Sequence, residues 1–404
     1  MAEIREIKAK GGSNQEGTSA HNRRVMIEAL RLNGTLSRAD LARATGLTKQ
    51  AVSNIIEELE DDGFVAALEA VRKGRGQPST PYTLVPERAF AIGLQIDRYV
   101  TRALVVDLVG NILVRAQEPL PPNPARGVAV ILDLITSVRR QLAAISPQSE
   151  QRLVGLGVAM PGPFGLATAG DDTWSMEAWQ AYPLLETLAA GTGLNVGLQN
   201  DAAACATAER LVGAANGVEH AVCLYIGYGI GAGLILNGEL YRGGNGNAGE
   251  IGMALLSPVG SGHIPLEHQA SLASLYKQAD LDPADPDLNK KILAMVAAQD
   301  ARLETWLAAA AADLRWSIHL VETIFDPDTV IVSSAAPEIL TNRLFDAMHP
   351  LIPSIADRRN RIQPRLQQGI ADPWSIALGA AADPISGEFD PRFSAMLKPR
   401  SDSA

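Results

Sequence analysis

The chain has 404 residues, of which 47% are hydrophobic and 20% are charged, and its formal net charge at pH 7 is -10. This length supports two or three domains, whereas the acidic balance taken alone argues against a nucleic-acid-binding protein. No segment has the unbroken apolar length of a membrane span and the amino terminus has no signal-peptide core, so we expect a cytoplasmic protein that does not contact a membrane.

The amino-terminal part has the pattern of a helix-turn-helix. Residues 1–20, rich in Gly, Ser, Asn and Gln, are expected to form a flexible arm before a leading helix. Ser37 and Thr48 each precede an amphipathic segment, where a hydroxyl can accept hydrogen bonds from the first backbone N–H groups of a helix. Gly46 lies between these segments and can adopt the positive φ that ends a helix. We therefore predict two helices joined by a tight turn.

The second of these helices has two faces of opposite character. Its apolar positions follow helical spacing and are Val52, Ile55, Ile56 and Leu59. Its outward face is polar and comprises Lys49, Gln50, Ser53 and Asn54. Gln and Asn can pair with the edge of adenine, and Lys can pair with guanine or phosphate, so this face suits the major groove of DNA. A solvated helix face is the alternative.

The distribution of charge favours the DNA-binding interpretation. Between His21 and Ile56 the basic residues are Arg23, Arg24, Arg31, Arg38, Arg43 and Lys49, against only Glu28 and Asp40. An acidic run at residues 57–62 follows, which we place away from the phosphates because they would repel it.

A basic, glycine-rich loop follows the second helix. Residues 71–78 lie between predicted strands at 64–68 and 82–84, which is typical of the wing of a winged helix; a mobile linker is the alternative. We expect Arg38 and the wing to hold phosphates. The predicted DNA-contacting residues are Arg38, Thr48, Lys49, Gln50, Ser53, Asn54, Arg72, Lys73 and Arg75.

Beyond Pro86 strands alternate with helices, which predicts an α/β architecture. Strands are expected at 90–96, 101–108, 111–116, 153–160 and 195–199, and helices at 125–145 and 184–190. A second unit begins near Asp201 with a hairpin at 222–236, a helix at 300–325 and a strand at 329–332. Cys205 and Cys223 have apolar neighbours and no metal-ligand spacing, so we expect reduced core thiols.

Ordered motifs along nearly the whole chain resemble the ROK family (repressors, open reading frames and sugar kinases), in its subset with an amino-terminal winged helix-turn-helix. The matching segments are SRADLARATGLTKQAVSNIIEELEDDGFV, GRGQPS, LVGLGVAMPGPFG, LQNDAAACATAE, IGYGIGAGLILNGELYRG, NAGEIG, LEHQAS, DPDTVIV and SIALGAA. The resemblance implies a winged helix-turn-helix followed by a two-lobed, actin-like (ribonuclease H-like) sugar kinase fold, with sugar bound between the lobes.

The resemblance also divides the chain into domains. It implies the arm at 1–20, the DNA-binding domain at 21–85, a first lobe at 86–199 with about 370–385, a second lobe with a dimerisation surface at 200–369, and a tail at 386–404.

Departures from the family pattern indicate that the kinase chemistry is lost. Active members have an Asp-x-Gly-Gly-Thr loop whose backbone N–H groups approach the phosphates of ATP. This chain has Gln95, Ile96, Asp97, Arg98 and Tyr99 there. Tyr228 replaces a small hydroxyl residue in a second loop, and Ser333-Ser334 replaces a glycine pair. We therefore expect no enzyme activity and no ATP binding.

The zinc site of the family is also expected to be absent. Met253 stands in the position of a histidine ligand, and Pro258, Gly260 and Pro265 stand where the family has thiolates. His263 and His268 lie nearby but do not supply a ligand set, so we predict no metal cofactor.

The carboxylates that bind sugar hydroxyls are retained. The resemblance assigns ligand binding to Asn200, Asp201, Glu250 and Glu267, of which Asp201 matches the general base of the kinases. Carboxylates accept charge-assisted hydrogen bonds from sugar hydroxyls without any phosphoryl transfer. Structural roles, such as a helix cap at Asp201, are the alternative. Met253 and the short segment 164–175 bear on which ligand fits.

The resulting hypothesis is a transcriptional regulator, a repressor of carbohydrate uptake or catabolism genes, that binds a palindromic operator in double-stranded DNA as a homodimer or homotetramer. A sugar or sugar derivative would control its DNA affinity. The alternatives are an active sugar kinase with a DNA-binding head, a regulator controlled by a protein partner, and an activator in place of a repressor.

Overall fold

The computed structural model describes residues 15–70, 79–164, 176–256 and 264–391. Within these ranges a small helical domain with a three-stranded sheet is followed by two lobes, each built on a five-stranded sheet. This arrangement confirms the predicted fold class.

The amino-terminal domain is a winged helix-turn-helix. Its described elements are α1 (Gln15–Asn33), β1 (Thr35–Ser37), α2 (Arg38–Thr45), α3 (Lys49–Asp61), β2 (Val65–Ala67) and β3 (Pro81–Leu84). The sheet is antiparallel in the order β1-β3-β2, and the very short β1 was not predicted. Residues 15–20 are helical, which corrects the prediction of a flexible arm there; residues 1–14 and the predicted wing at 71–78 lie outside the described residues.

The first lobe contains the strands expected from the sequence. Its elements are β4 (Phe90–Ile96), β5 (Val100–Asp107), β6 (Ile112–Pro119), α4 (Pro124–Ile145), β7 (Leu153–Met160), α5 (Glu177–Gln180), α6 (Leu184–Thr192) and β8 (Val196–Asn200). The strand order is β6-β5-β4-β7-β8, and β4, β7 and β8 are parallel. The carboxyl ends of these three strands therefore meet at one edge of the sheet, where ligands bind in open α/β sheets.

The second lobe begins at Asp201. Its elements are α7 (Asp201–Val212), β9 (Ala221–Ile226), β10 (Ile230–Leu236), β11 (Glu239–Tyr241), β12 (Leu255–Leu256), β13 (Ile264–Pro265), α8 (Glu267–Ala270), α9 (Leu272–Ala279), α10 (Leu288–Ala298), α11 (Ala301–Phe325), β14 (Thr329–Ser334), α12 (Glu338–Ala347) and β15 (Leu366–Gln368). The chain then continues into α13 (Ser375–Phe389). The larger sheet has the order β11-β10-β9-β14-β15.

Helix α13 packs on the sheet of the first lobe, although it follows the second lobe in the chain. A Cβ atom at Gly93 in β4 would lie 1.9 Å from the carbonyl oxygen of Ala377, so this close approach requires glycine. On the other side of α13, a Cβ atom at Gly379 would lie 1.7 Å from the carbonyl oxygen of Ala204 in α7. Helix α13 is thus packed tightly between the first sheet and α7. It continues to Phe389, which corrects the predicted start of a tail at residue 386.

The winged helix and the body share one hydrophobic core. Leu30 and Leu36 of the amino-terminal domain belong to the same buried cluster as Leu108, Leu378 and Ile385 of the body. Burial of apolar area is the main favourable contribution to such an interface. The orientation of the DNA-binding domain is therefore set by the packing of the body.

Candidate DNA-binding face and ligand cleft

Side-chain caps fix the start of both helices of the helix-turn-helix. The Ser37 hydroxyl accepts a hydrogen bond from the backbone N–H of Asp40 at 3.2 Å, and the Asp40 carboxylate accepts from the backbone N–H of Ser37 in a capping box. The Thr48 hydroxyl accepts from the backbone N–H of Ala51 at 3.2 Å. Gly46 between them has φ 70°, the left-handed value that only glycine adopts without strain. The turn predicted from the sequence is present.

Helix α3 directs a polar face to solvent. Its predicted apolar stripe is buried, whereas Lys49, Gln50 and Asn54 are exposed and Ser53 is half-buried. The Gln50 amide donates a hydrogen bond to the Asn54 Oδ1 atom at 2.9 Å, so these two side chains form one polar unit. Such a pair of amides can present both donors and acceptors to a base edge.

Two further predicted DNA-contacting residues, Arg38 and Thr48, also have partners within the domain. The Arg38 guanidinium lies 5.5 Å from the centre of the Tyr82 ring and 3.6 Å from the Glu57 carboxylate. Thr48 serves as the helix cap. The predicted wing contacts Arg72, Lys73 and Arg75 lie outside the described residues.

A cleft of about 720 Å³ lies between the two lobes. It is bordered by the carboxyl ends of β4, β7 and β8, by the turn between β9 and β10, and by the segments that carry Glu250 and Glu267. The structure places all four predicted ligand-binding residues in its wall: Asn200, Asp201, Glu250 and Glu267.

Asn200 links the cleft to the start of α7. Its Oδ1 atom accepts a hydrogen bond from the backbone N–H of Ala203 at 2.7 Å and so caps the helix. Its Nδ2 atom donates to Glu250 Oε1 at 3.1 Å, which orients that carboxylate. Burial is the main cause that raises the pKa of Glu250, the hydrogen bond from Asn200 opposes it, and the nearby Glu267 carboxylate adds to the increase.

Among the carboxyl groups of the cleft, Asp201 is the one whose pKa the surroundings raise furthest. Asp201 as a whole is partly exposed to solvent. Its Oδ1 atom, however, is buried and has no hydrogen-bond partner in the described part of the chain. Burial raises the pKa of Asp201 well above its usual range, the carboxylate of Asp97 adds to this increase, and the guanidinium of Arg98 opposes it. A ligand hydroxyl that donates to Oδ1 would supply the missing hydrogen bond.

The two loops that correspond to phosphate loops in the kinases contact each other through side chains. The Arg98 guanidinium lies 4.3 Å from the centre of the Tyr228 ring, within the range of a cation–π interaction. The Tyr228 hydroxyl also interacts with that of Tyr99. Side chains therefore cross the space between the two loops.

The cleft contains residues that sequence reasoning did not assign to ligand binding. Besides Arg98, these include Arg102, Tyr225 and Tyr276. Arg102 is the cross-strand neighbour of Gln95 in the β4–β5 pair, and its Nη1 atom donates to Gln95 Oε1 at 3.1 Å. In the sequence, this pair could have been recognised from its position beside the altered phosphate loop.

At the position of a histidine ligand in the family's zinc site this chain has Met253. Met253 lies in a 3-10 turn at Ile251–Met253, and half of its surface is exposed. A thioether is not a usual zinc ligand, since zinc prefers thiolates, imidazoles and carboxylates. Residues 257–263, which include His263, lie outside the described residues.

The body of the chain, over residues 91–382, matches the model of the ROK family. The chain belongs to the ROK family. Residues 25–76 match the model of the MarR family, which agrees with the winged helix in front of the ROK body.

Relatives of the ROK body include regulators. The chain is 25% identical over 362 residues to the DNA-binding transcriptional repressor Mlc of Escherichia coli, covering 84% of this chain and 85% of Mlc. It is 26% identical over 232 residues to the xylose repressor of Bacillus subtilis, but the match spans only 57% of this chain and 59% of that repressor. A crystal structure of a ROK family transcriptional regulator, a homologue of the Escherichia coli Mlc protein, has the same fold, with a TM-score of 0.67, 20% identity and coverage of 94% and 98%.

The described helices include none that is both long enough and apolar enough to cross a membrane.

Proposed function

We propose that this protein is a transcriptional regulator, a repressor of carbohydrate uptake or catabolism genes, and that a sugar or sugar derivative bound between the lobes of its ROK body controls its affinity for DNA. One observation carries this proposal: an exposed recognition helix is joined by a common core to a cleft that keeps hydroxyl-binding carboxylates. The repressors among the relatives support the regulatory role.

The recognition helix supports specific DNA binding. Its exposed amide pair, Gln50 and Asn54, suits the edges of adenine bases, and Lys49 beside it suits guanine or phosphate. The basic residues of the wing would add phosphate contacts that contribute to affinity on every sequence.

The cleft supports ligand binding without phosphoryl transfer. Transfer would need both phosphate loops open to ATP, but the Arg98–Tyr228 contact joins them. Asp201, Glu250 and Glu267 can still accept hydrogen bonds from ligand hydroxyls. We therefore propose a ligand sensor that uses neither ATP nor zinc.

Helix α7 offers a direct connection from the cleft to the DNA-binding domain. Asp201 is its first residue and faces the cleft. Near its other end, the carbonyl oxygen of Leu211 accepts a hydrogen bond from Arg31 Nη1 of α1 at 3.0 Å. Arg31 is in turn held by both carboxylate oxygens of Glu28, at 2.7 and 2.8 Å. A ligand that displaces Asp201 would thus act on a helix that contacts α1.

Helix α7 is also anchored to both lobes. The buried Glu209 carboxylate accepts hydrogen bonds from the Ser333 hydroxyl at 2.7 Å and from the backbone N–H of Ile370 at 2.6 Å, which ties α7 to the second lobe. Arg210 donates to Asp390 at 2.7 Å and to Ser386 at 3.0 Å, near the end of α13. A change in the angle between the lobes would therefore be transmitted through α7 as a rigid element. The ligand can shift DNA affinity only by its differential affinity for the two arrangements.

Two copies of the chain would present two recognition helices to a palindromic operator. Helix α11 supports such pairing, since Trp316, Leu320 and Ile324 follow one another at four-residue spacing and are exposed at 60%, 37% and 61%. An isologous contact between two α11 helices would bury this stripe.

The proposal is tested by measuring the affinity of the full chain for the DNA upstream of its neighbouring genes, with and without a panel of sugars. We expect specific binding that one class of sugar derivative changes by about 5- to 150-fold. ADP release in the presence of Mg-ATP and hexoses, with an active ROK glucokinase as positive control, should stay at the level of the buffer. Robust turnover would contradict the proposed loss of kinase chemistry, and absence of specific DNA binding would contradict the regulator.

A further inference from the structure

Among the described residues, Arg102 of the cleft has no direct hydrogen bond or ion pair with a carboxylate. The only hydrogen-bond acceptor within reach of the Arg102 side chain, among the residues that the structure describes, is the neutral amide of Gln95. Its Nε atom is buried and has no hydrogen-bond partner in those residues. A guanidinium has five N–H donors and does not lose its proton in proteins. Arg102 therefore brings to the cleft a positive charge and unused donors.

Neighbouring carboxylates do not neutralise this charge by direct contact. The Asp97 Oδ1 atom accepts a hydrogen bond from the backbone N–H of Arg98 at 2.7 Å and lies 3.8 Å from Arg98 Nη1. The charge of Asp97 is thus turned toward Arg98, whose guanidinium stacks on Tyr228. No carboxylate oxygen in the described ranges lies within 4.0 Å of the Arg102 nitrogens.

Other residues that line the cleft have the complementary chemistry. Asp201, Glu250 and Glu267 present acceptor atoms, and Oδ1 of Asp201 is buried without a hydrogen-bond partner in the described residues. An occupant that satisfies these acceptors and the Arg102 guanidinium must have both hydroxyl donors and an acceptor group. A buried donor or acceptor that stays unpaired costs free energy, so the cleft selects for such an occupant.

We propose that Arg102 binds an acid group of the effector, and that the effector is a polyhydroxylated compound with one phosphate or carboxylate, such as a sugar phosphate or a sugar acid. This inference rests on the proposed function, in which the cleft binds a sugar derivative. Guanidinium groups bind carboxylate and phosphate through two parallel hydrogen bonds, which a neutral hydroxyl cannot form. A neutral sugar has no acid group with which to pair the Arg102 guanidinium.

Calorimetric titration of the full chain tests this inference. The probes are glucose, glucose 6-phosphate, glucuronate and gluconate, with the matching compounds of N-acetylglucosamine and xylose. We expect at least one acidic compound to bind about 10- to 100-fold more tightly than its neutral parent. Arg102→Gln should remove this difference between the acidic and the neutral compounds. Arg126→Gln, an exposed arginine on α4, is the matched control and should have no effect.

The outcomes separate this inference from the proposed function. Equal binding of acidic and neutral compounds, or acidic compounds that bind Arg102→Gln as tightly as the native chain, would overturn the role of Arg102. If a neutral sugar alone binds and changes operator affinity, the regulator proposal stands and this inference fails. If no compound binds, the inference and the sugar control both fail, while operator binding, measured separately, still decides the DNA-binding role. A phosphate that binds where both carboxylates fail, or the reverse, identifies the acid group.

Discussion

The guanidinium of Arg31 in α1 donates a hydrogen bond at 3.0 Å to the carbonyl oxygen of Leu211 in the last turn of α7. Carbonyl groups at the end of a helix carry partial negative charge and lack partners within the helix, so an arginine there is stabilising. The same helix begins at Asp201 in the cleft, ten residues earlier and therefore about 15 Å away along the helix axis. The DNA-binding domain and the cleft are thus in contact with opposite ends of one helix.

Removing this contact should uncouple the two sites. In the double variant Glu28→Gln/Arg31→Met neither charge is left without its partner, and α1 no longer bonds to α7. We expect the effect of the ligand on operator affinity to fall to less than about threefold, while the affinity of the cleft for the ligand is unchanged. Fluorescence anisotropy with labelled operator and calorimetry measure the two quantities. Arg126→Met is the control, and an unchanged ligand effect in the double variant would rule out the connection through Arg31.

The two kinds of DNA contact predict different specificity effects. Asn54→Ala should cost about 1–3 kcal/mol at one base position and relax the preference there, because its amide reads a base edge. Arg75→Gln should weaken binding to all sequences alike and reduce the slope of affinity against salt by about 1, because it removes one phosphate contact. Binding to operators with single base changes at several salt concentrations distinguishes them. Equal losses on every sequence from both variants would contradict these roles.

Asp201 should make stability depend on pH. Its pKa in the folded chain lies above the value of about 3.9 for an unfolded Asp, so the folded state binds the proton more tightly between these two values. Stability contributed by the protonated carboxyl is therefore present below that window and is lost as the pH rises through it. Asp201→Asn should raise the free energy of unfolding at pH 8 and have little effect at pH 4.

The same substitution should weaken ligand binding, because an amide is a poorer acceptor for a sugar hydroxyl than a carboxylate. Thermal unfolding between pH 4 and pH 8, together with calorimetry, measures both effects. A loss of stability at pH 8 would show that the Asp201 carboxylate is a structural cap and not a strained binding group.

The exposed stripe on α11 should mediate self-association. Trp316→Asp places a charge in the middle of the stripe and should shift the chain from dimer to monomer at micromolar concentration. Sedimentation velocity measures the change, and operator binding should lose about tenfold or more because two half-sites are no longer bound together. Ile145→Asp, at an exposed position at the end of α4, is the control. A dimer that persists in Trp316→Asp would place the interface elsewhere.

The sequence by itself determined the elements that depend on neighbouring residues. The caps at Ser37 and Thr48, the left-handed Gly46 and the buried stripe of α3 were all predicted, because capping and helical periodicity act over three or four residues. The family motifs extended these predictions to the two lobes. They also predicted a shared cleft for Asn200, Asp201, Glu250 and Glu267, all of which line it. The length of α1 was missed because its first turn carries residues of low hydrophobicity, typical of loops.

Only the tertiary structure determined which charged side chains line the cleft and which contacts connect the cleft to the DNA-binding domain. Arg102 belongs to no motif, and it reaches the cleft because the start of β5 lies beside the end of β4. Arg31 and Leu211 are 180 residues apart in the chain. Contacts of this kind depend on how whole lobes pack against each other, which no local pattern of residues records.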